Sequence, residues 1–247
     1  MQKNQNYKFK KHYTGVILAA GKSKRLKKNI NIKSKNLIEI KNGKSSLDYN
    51  IEKLEKFGIS NIFINTFNYH KDFLNKIKKR KNKSKIKLIN ERKILGTAGG
   101  AINICKKNTK YKNIIVLYGD NISKINLKYI IKKHEMYGSS FSIVVYKLKD
   151  SKNSGVVTFD KRNIVTSFKE KQNVIPIKTN WVNSGIYIIR TNILKKFKIK
   201  NCDFGKDLIP LILKKNKVKI YAIKTSCKVF TIDNLRQLYR TKKQLSF

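Results

Sequence analysis

The sequence predicts an α/β fold: a mixed sheet, mostly parallel with antiparallel additions, and helices on both of its faces. Three observations predict it. Through the first half, short apolar runs alternate with amphipathic stretches, the order of β-α-β units whose right-handed crossovers need parallel neighbours. The runs are apolar at consecutive positions, as strands buried on both faces are. After residue 141 the runs follow one another too closely for crossovers, which suits antiparallel neighbours.

Taken in order, residues 15–20 (GVILAA) read as a buried strand ending at Gly21. Residues 45–57 read as a helix: Ser45 and Asp48 form a capping-box start, Leu47, Ile51, Leu54 and Phe57 share a face, and Gly58 stops it. A strand at 61–65 and a basic helix at 69–80 follow, then a weaker strand at 86–89 and a short helix at 99–107. The run NIIVLY at 113–118 is a second buried strand, closed by Gly119-Asp120, and 127–137 is a helix stopped by Gly138. Four close-set strands then read FSIVVYKL, GVVTF, NIVTSF and WVNSGIYII, and helices at 203–215 and 234–243 close the chain. No repeat and no Pro- or Ser-rich linker divides these elements. One domain over 15–247 is expected, with halves at about 15–138 and 139–247, preceded by a flexible basic arm at 1–14.

Composition excludes more than it identifies. Of 247 residues, 40% are hydrophobic and 10% aromatic, the make-up of a globular chain. No apolar run approaches the roughly 20 residues that cross a bilayer, so no membrane insertion is expected. The polar start is not a secretory signal. Three dispersed cysteines (Cys105, Cys202, Cys227) make no disulfide framework, and the three histidines show no ligand spacing. A soluble, cytoplasmic, reduced protein is expected. The net charge of +44 suits a polyanion partner, yet the lysines are spread along the chain as codon bias would spread them, and no specific nucleic-acid partner is expected.

Open α/β sheets bind ligands beyond the carboxyl ends of their strands, and four features fall at such ends. Residues 18–26 (LAAGKSKRL) open a strand into a small-residue turn whose N–H groups can cradle phosphate, with Arg25 beside it; the bland alternative is an ordinary turn. Residues 91–100 (ERKILGTAGG) form a small-residue turn that admits a planar base, or else a helix start capped by Thr97. Asp120 and Asp233 each follow a strand, where a carboxylate can hold a divalent cation or merely cap the next segment.

These segments, in this order, resemble the sugar-1-phosphate nucleotidyltransferases. That family opens with leucine, two small residues, glycine, then x-G-T-R-hydrophobic and later P-K-P-L. Here Gly21, Arg25, Lys35 and Leu37 fit, while Ser23, Lys24, Ser34 and Asn36 depart. The resemblance assigns Leu18, Ala19, Ala20, Gly21, Arg25 and Lys35 to the triphosphate, and Glu91, Gly96, Thr97 and Ala98 to the nucleobase. It makes Asp120 and Asp233 ligands of Mg²⁺; Asn234-Leu235 replaces the usual residues after the second. Only 14 of 247 residues are acidic, so two carboxylates at expected positions carry weight. FKEK at 168–171 is similar to the family's F-x-E-K-P, and NSGIY at 183–187 to its N-x-G-I-Y. On that basis Gly155, Glu170, Lys171 and Asn183 would hold the sugar phosphate. DFGKDLIP at 203–210 fits a further motif, with a helix start as its equal alternative.

The resemblance spans residues 15–240 and implies a Rossmann-like nucleotidyltransferase fold and an enzyme. The reaction would join a nucleoside triphosphate to a sugar 1-phosphate and release pyrophosphate. Arg25, Lys35, Asp120 and Lys171 would be catalytic, with Mg²⁺ as cofactor. The segments look most like those of mannose or heptose 1-phosphate guanylyltransferases, which favours GTP. Uridylyl-, thymidylyl- and cytidylyltransferases are alternatives, and a homo-oligomer is compatible with the pattern. From other classes, a basic nucleic-acid binder and a non-catalytic regulatory relative compete. Against the first, the aromatic residues follow core periodicity; against the second, both aspartates and both lysines are kept.

Overall fold

The computed structural model describes residues 12–81, 83–107, 111–151, 154–170 and 179–245. The first strand, β1 (Tyr13–Leu18), starts two residues before the expected Gly15, because Tyr13 and Thr14 are already buried and paired with Asn113 and Ile114. A short helix α1 (Lys24–Lys27) and a 3-10 turn at Lys35–Leu37 lead to a small hairpin of β2 (Glu39–Lys41) and β3 (Lys44–Ser45). Helix α2 (Ser46–Phe57) follows, then β4 (Asn61–Thr66), α3 (His70–Lys78), β5 (Lys85–Asn90), α4 (Gly96–Lys107) and β6 (Asn113–Tyr118). The start of α2 is the expected capping box, Ser45 N donating to Asp48 at 2.8 Å, and Gly58 ends it in the left-handed region. Gly15 permits the helix to lie close on the sheet, since a Cβ there would meet Leu54 at 2.6 Å.

The second half comprises β7 (Asn121–Ser123), α5 (Leu127–Met136), β8 (Phe141–Lys147), β9 (Gly155–Phe159), β10 (Val165–Glu170), β11 (Trp181–Arg190), α6 (Thr191–Lys195), a π-helical turn at Phe204–Leu208, α7 (Ile209–Lys215), β12 (Ile220–Thr225), β13 (Val229–Thr231) and α8 (Leu235–Gln244). The main sheet runs β10-β9-β11-β6-β1-β4-β5, with β8 and β12 joined through β11. β1, β4, β5 and β6 are parallel; β11 pairs antiparallel with β6 and with β8. The additions are therefore less antiparallel than the close spacing suggests. β8, β9 and β12 all run in the main direction, and only β10 and β11 oppose it. β11 is long enough to serve two neighbours on one edge, β6 through Ile186–Arg190 and β9 through Val182. It bends between them at Gly185, whose φ of +76° suits glycine and where a Cβ would collide with Tyr118 at 2.8 Å.

Alternation along β1 and β6 sends Val16, Ile114 and Val116 to one face and Ile17, Ile115 and Leu117 to the other. The first face is covered by α4, α6, the π turn and α7, the second by α2, α3 and α5. Burial of each Leu or Ile side chain here contributes about 1.5–3 kcal/mol. A third, smaller cluster joins Leu26, Ile40, Ile122, Ile232 and Leu238, and fastens α8 to the region around α1.

Candidate active site

The strand order reverses between β1 and β6, and the loops after these two strands meet there. After β1, Ala19 N donates to Asn65 Oδ1 at 2.8 Å, which ties the loop 19–23 to the end of β4. Ser23, which stands where the family pattern has glycine, occupies the left-handed region at φ 56°, a conformation that favours glycine. Its hydroxyl accepts from Lys35 N at 2.9 Å and so holds the 3-10 turn against the loop. Ser34 caps that turn, accepting from Asn36 N at 3.3 Å, and Asn36 donates to Ala19 O at 3.2 Å. Side chains thus fix a segment that prolines stiffen elsewhere.

Lys35 is brought between two carboxylates, 2.5 Å from Asp120 Oδ2 and 3.1 Å from Asp233 Oδ1. Arg25 pairs with the other oxygen of Asp233. Burial alone would lower the Lys35 pKa, but Asp120 and Asp233 outweigh it and hold the ammonium above its ordinary value. The two aspartates are 113 residues apart in the chain and meet because β7 pairs with β13, Asn121 opposite Thr231, and Ile232 N donates to Asp120 O at 3.1 Å. Neither is a cap. Asn234 caps α8 through Gln237 N, which leaves the Asp233 carboxylate turned to the lysine.

The segment 91–100 differs from its expected form. It is no open turn: α4 begins at Gly96, three residues early, because Ala98 N and Gly99 N both donate to Cys202 O, at 3.0 and 2.9 Å. Gly96, at φ +72°, and Gly99 lie against the backbone of residues 200–202, and Gly100 against Asn65 and Glu91. Glu91 is 4% exposed and both its oxygens are taken, by Asn65 Nδ2 at 2.8 Å and Leu95 N at 3.1 Å; burial raises its pKa. Thr97 does not cap the helix. It donates to Asp203 Oδ2 at 2.7 Å and accepts from Phe204 N at 2.9 Å. Asp203 in turn caps the π turn through Gly205 N at 2.8 Å, the helix-start reading of DFGKD.

Around β10, Gly155 and Gly205 both abut the Phe168 ring and the Glu170 carboxylate, and a Cβ on Gly155 would lie 2.9 Å from Glu170 Oε2. Gly155 therefore makes room for those two side chains. Asn183 Oδ1 accepts from Gly185 N at 2.9 Å and its Nδ2 donates to Tyr187 Oη at 2.6 Å. Tyr187 lies 3.1 Å from Tyr118 Oη, and burial raises both phenols. Lys171 and most of the basic N-terminal segment lie outside the described residues.

Arg25, Lys35, Asp120 and Asp233 thus form one cluster; Glu91, Gly96, Thr97 and Ala98 form a packed joint beside Asn65; Gly155, Glu170 and Asn183 lie on β9, β10 and β11. Sequence reasoning missed Asn50 and Asn65. Asn50 Nδ2 lies within 3.2 Å of Gly119 O and 3.1 Å of Asn121 O and so braces the backbone around Asp120. Both are asparagines buried among apolar residues of their elements, and that buried polarity was the available signal.

Residues 14–228 match the family described as nucleotidyl transferase. The chain belongs to that family. Mannose-1-phosphate guanyltransferase beta-B of Xenopus laevis is 26% identical over 210 residues, 82% of this chain and 57% of the relative. Glucose-1-phosphate adenylyltransferase of Lachnospira eligens is 31% identical over 136 residues, 50% of this chain and 31% of the relative. The crystal structure of HddC from Yersinia pseudotuberculosis complexed with GMP-PN has a TM-score of 0.79 at 27% identity and covers 95% of this chain and 100% of that one. The chain spans about half the length of most of the curated nucleotidyl transferases it matches. Among the described residues no helix is long and apolar enough to cross a membrane.

Proposed function

We propose that the chain is an enzyme that transfers a nucleoside monophosphate from a nucleoside triphosphate to a sugar 1-phosphate, with Mg²⁺, and releases pyrophosphate. The observation that carries this reading is the cluster at the strand-order reversal, where Lys35 lies between Asp120 and Asp233 beside the loop after β1. Two carboxylates converging on one cation suit Mg²⁺, which takes one or two protein carboxylates and completes its shell with substrate phosphates and water. When bound, Mg²⁺ supplies charge neutralisation and polarisation at the phosphate oxygens.

In the reaction an oxygen of the sugar phosphate attacks the α-phosphorus, the bond to the β-phosphate oxygen breaks, and pyrophosphate carries away that electron pair. The nucleophile is already anionic at neutral pH, so no side chain need take a proton. Arg25 and Lys35 exchange their carboxylate partners for triphosphate oxygens and neutralise charge that grows on the leaving group. Lys171 pairs with the sugar phosphate as a point charge, while Glu170 and Asn183 orient the sugar. Glu91, held by Asn65 and Leu95, acts on the nucleotide loop through Asn65 and Ala19.

GTP with mannose or heptose 1-phosphate is the favoured pair, supported by the Xenopus relative's name and by the Yersinia structure's GMP-PN ligand. ATP is the second reading, supported by the adenylyltransferase relative. Pyrophosphate release from GTP, ATP, UTP, CTP and dTTP against a panel of sugar 1-phosphates tests both. GTP with one such sugar should exceed the other pairs by about tenfold or more, which is about 1.4 kcal/mol of discrimination. No release from any pair, with tight sequence-selective nucleic-acid binding that survives about 150 mM salt, overturns the enzyme reading.

A further inference from the structure

Two side chains outside the assigned set tie the loop 19–23 to the turn that carries Lys35. At the far end of the loop, Ser23 Oγ accepts from Lys35 N at 2.9 Å. At its near end, Asn36 Nδ2 donates to Ala19 O at 3.2 Å. Between these ties Gly21 and Lys22 are exposed. The Lys35 stem passes beside this crest, since a Cβ on Gly21 would lie 3.8 Å from Lys35 Cε. The turn is therefore held both at the residue that bears the ammonium and at the one after it.

Neither tie is what stability alone would select. Ser23 is 8% exposed and holds φ 56°, a backbone region that costs a serine and not a glycine. Asn36 is 1% exposed, and its Oδ1 finds no donor among the described residues. A buried acceptor without a donor costs at least as much as one neutral hydrogen bond returns. What both residues contribute is position. Lysine is a point charge on a flexible stem. An ammonium that must pass from Asp120 and Asp233 to phosphate oxygens is placed well only where the backbone beneath it is fixed.

We propose that Ser23 and Asn36 are positioning residues: they clamp the Lys35 turn to both ends of the loop, so that loop and lysine meet the triphosphate as one unit. The proposal rests on the transferase reading above. Ser23, Ser34 and Asn36 stand where the family pattern has a glycine and two prolines, and together they form one compensated change. Hydrogen bonds from Lys35 N to Ser23 Oγ, from Asn36 N to Ser34 Oγ and from Asn36 Nδ2 to Ala19 O do the work of the proline rings.

The test uses the triphosphate and sugar 1-phosphate pair that wild type turns over fastest. Ser23→Gly and Asn36→Leu should each lower kcat/KM for the triphosphate by about tenfold or more and leave KM for the sugar 1-phosphate unchanged. Thermal midpoints should stay near that of wild type. Glycine regains in the left-handed turn what the lost bond gave, and leucine at most exchanges one unpaired acceptor, Asn36 Oδ1, for another, Ala19 O. In a Lys35→Ala background the same substitutions should change the residual rate by less than about twofold, because no ammonium is left to place. Amide exchange at Lys35 should quicken by about tenfold or more in Ser23→Gly, while β1 and β6 keep their protection. Wild-type kcat/KM in Ser23→Gly overturns the proposal whatever its amide exchange. A full-sized loss that persists without Lys35, or one that tracks a fall in thermal midpoint, overturns it too. No turnover by wild type with any pair removes the transferase reading and the proposal with it, so wild type alone tells the two failures apart.

Discussion

Replacement of Gly99 by alanine separates two explanations of the small-residue segment at 96–100. If those residues are small so that a base can approach, the variant should fold normally and bind nucleotide poorly. The structure gives a different reason. A Cβ on Gly99 would fall well inside van der Waals contact distance of Lys200 O and 3.1 Å from Leu95 Cβ. Overpacking against backbone costs about 1–3 kcal/mol, because a carbonyl cannot swing aside as a side-chain tip can. Relief by separation stretches the bonds from Ala98 N and Gly99 N to Cys202 O, each contributing about 1 kcal/mol. Against this, alanine in a helix regains about 1 kcal/mol. The expected loss is about 2–4 kcal/mol, a fall in thermal midpoint of about 5–15 °C for a chain this size. Urea denaturation should show a lower midpoint at an unchanged slope. A variant as stable as wild type would refute the packing argument, and impaired nucleotide binding with that stability would restore the base-approach reading.

Two further predictions concern single groups. Asp120→Asn should fold and lose turnover by about 10² or more, about 2.7 kcal/mol in the barrier; near-normal activity removes Asp120 from the metal site. His134 is 3% exposed beside Ser142, and burial, with Arg190, lowers its pKa to about 4. The stability gained by keeping it neutral is complete above the unfolded value of about 6.5 and is lost as pH falls through 4, about 1.4 kcal/mol per pH unit and about 3 kcal/mol in all. The stability difference between wild type and His134→Gln should shrink by that amount from pH 7 to 4; parallel acid curves would refute it.

What the sequence made legible was whatever is local or periodic. The capping box at Ser45, the stop at Gly58 and the buried runs of β1 and β6 each follow from a few neighbouring residues. The three-residue strands β7 and β13 carry no such pattern, since each has only its partner to pair with. Yet their pairing alone carries Asp233 across to Asp120, so motif order could name the two aspartates while no local signal showed how they meet. The direction of β8 was hidden for a related reason: close spacing to β9 says nothing about β12, which arrives from the chain's end and lies parallel to it. Ser23 shows the limit from the other side. A departure from glycine there looks damaging in one dimension, but its left-handed turn is tolerated beside a hydroxyl bond to Lys35 N that glycine could not make.

The charges at the cluster explain why so basic a chain can keep two carboxylates close together. Two carboxylates sharing one ammonium repel each other, and an uncompensated pair at about 4 Å would cost about 4 kcal/mol at an effective dielectric constant of 20. Lys35 between them and Arg25 on the outer oxygen of Asp233 make the group of four neutral. Under the proposed function that neutrality has a consequence for substrate binding. A metal–triphosphate complex brings cation and anion together, so each carboxylate can exchange an ammonium or guanidinium for Mg²⁺ while the freed cations take the phosphates. Free Mg²⁺ would have to displace Lys35 with nothing to receive it, and free triphosphate would draw Lys35 and Arg25 away from carboxylates left facing one another. Under that reading the arrangement would favour the complex over either component alone.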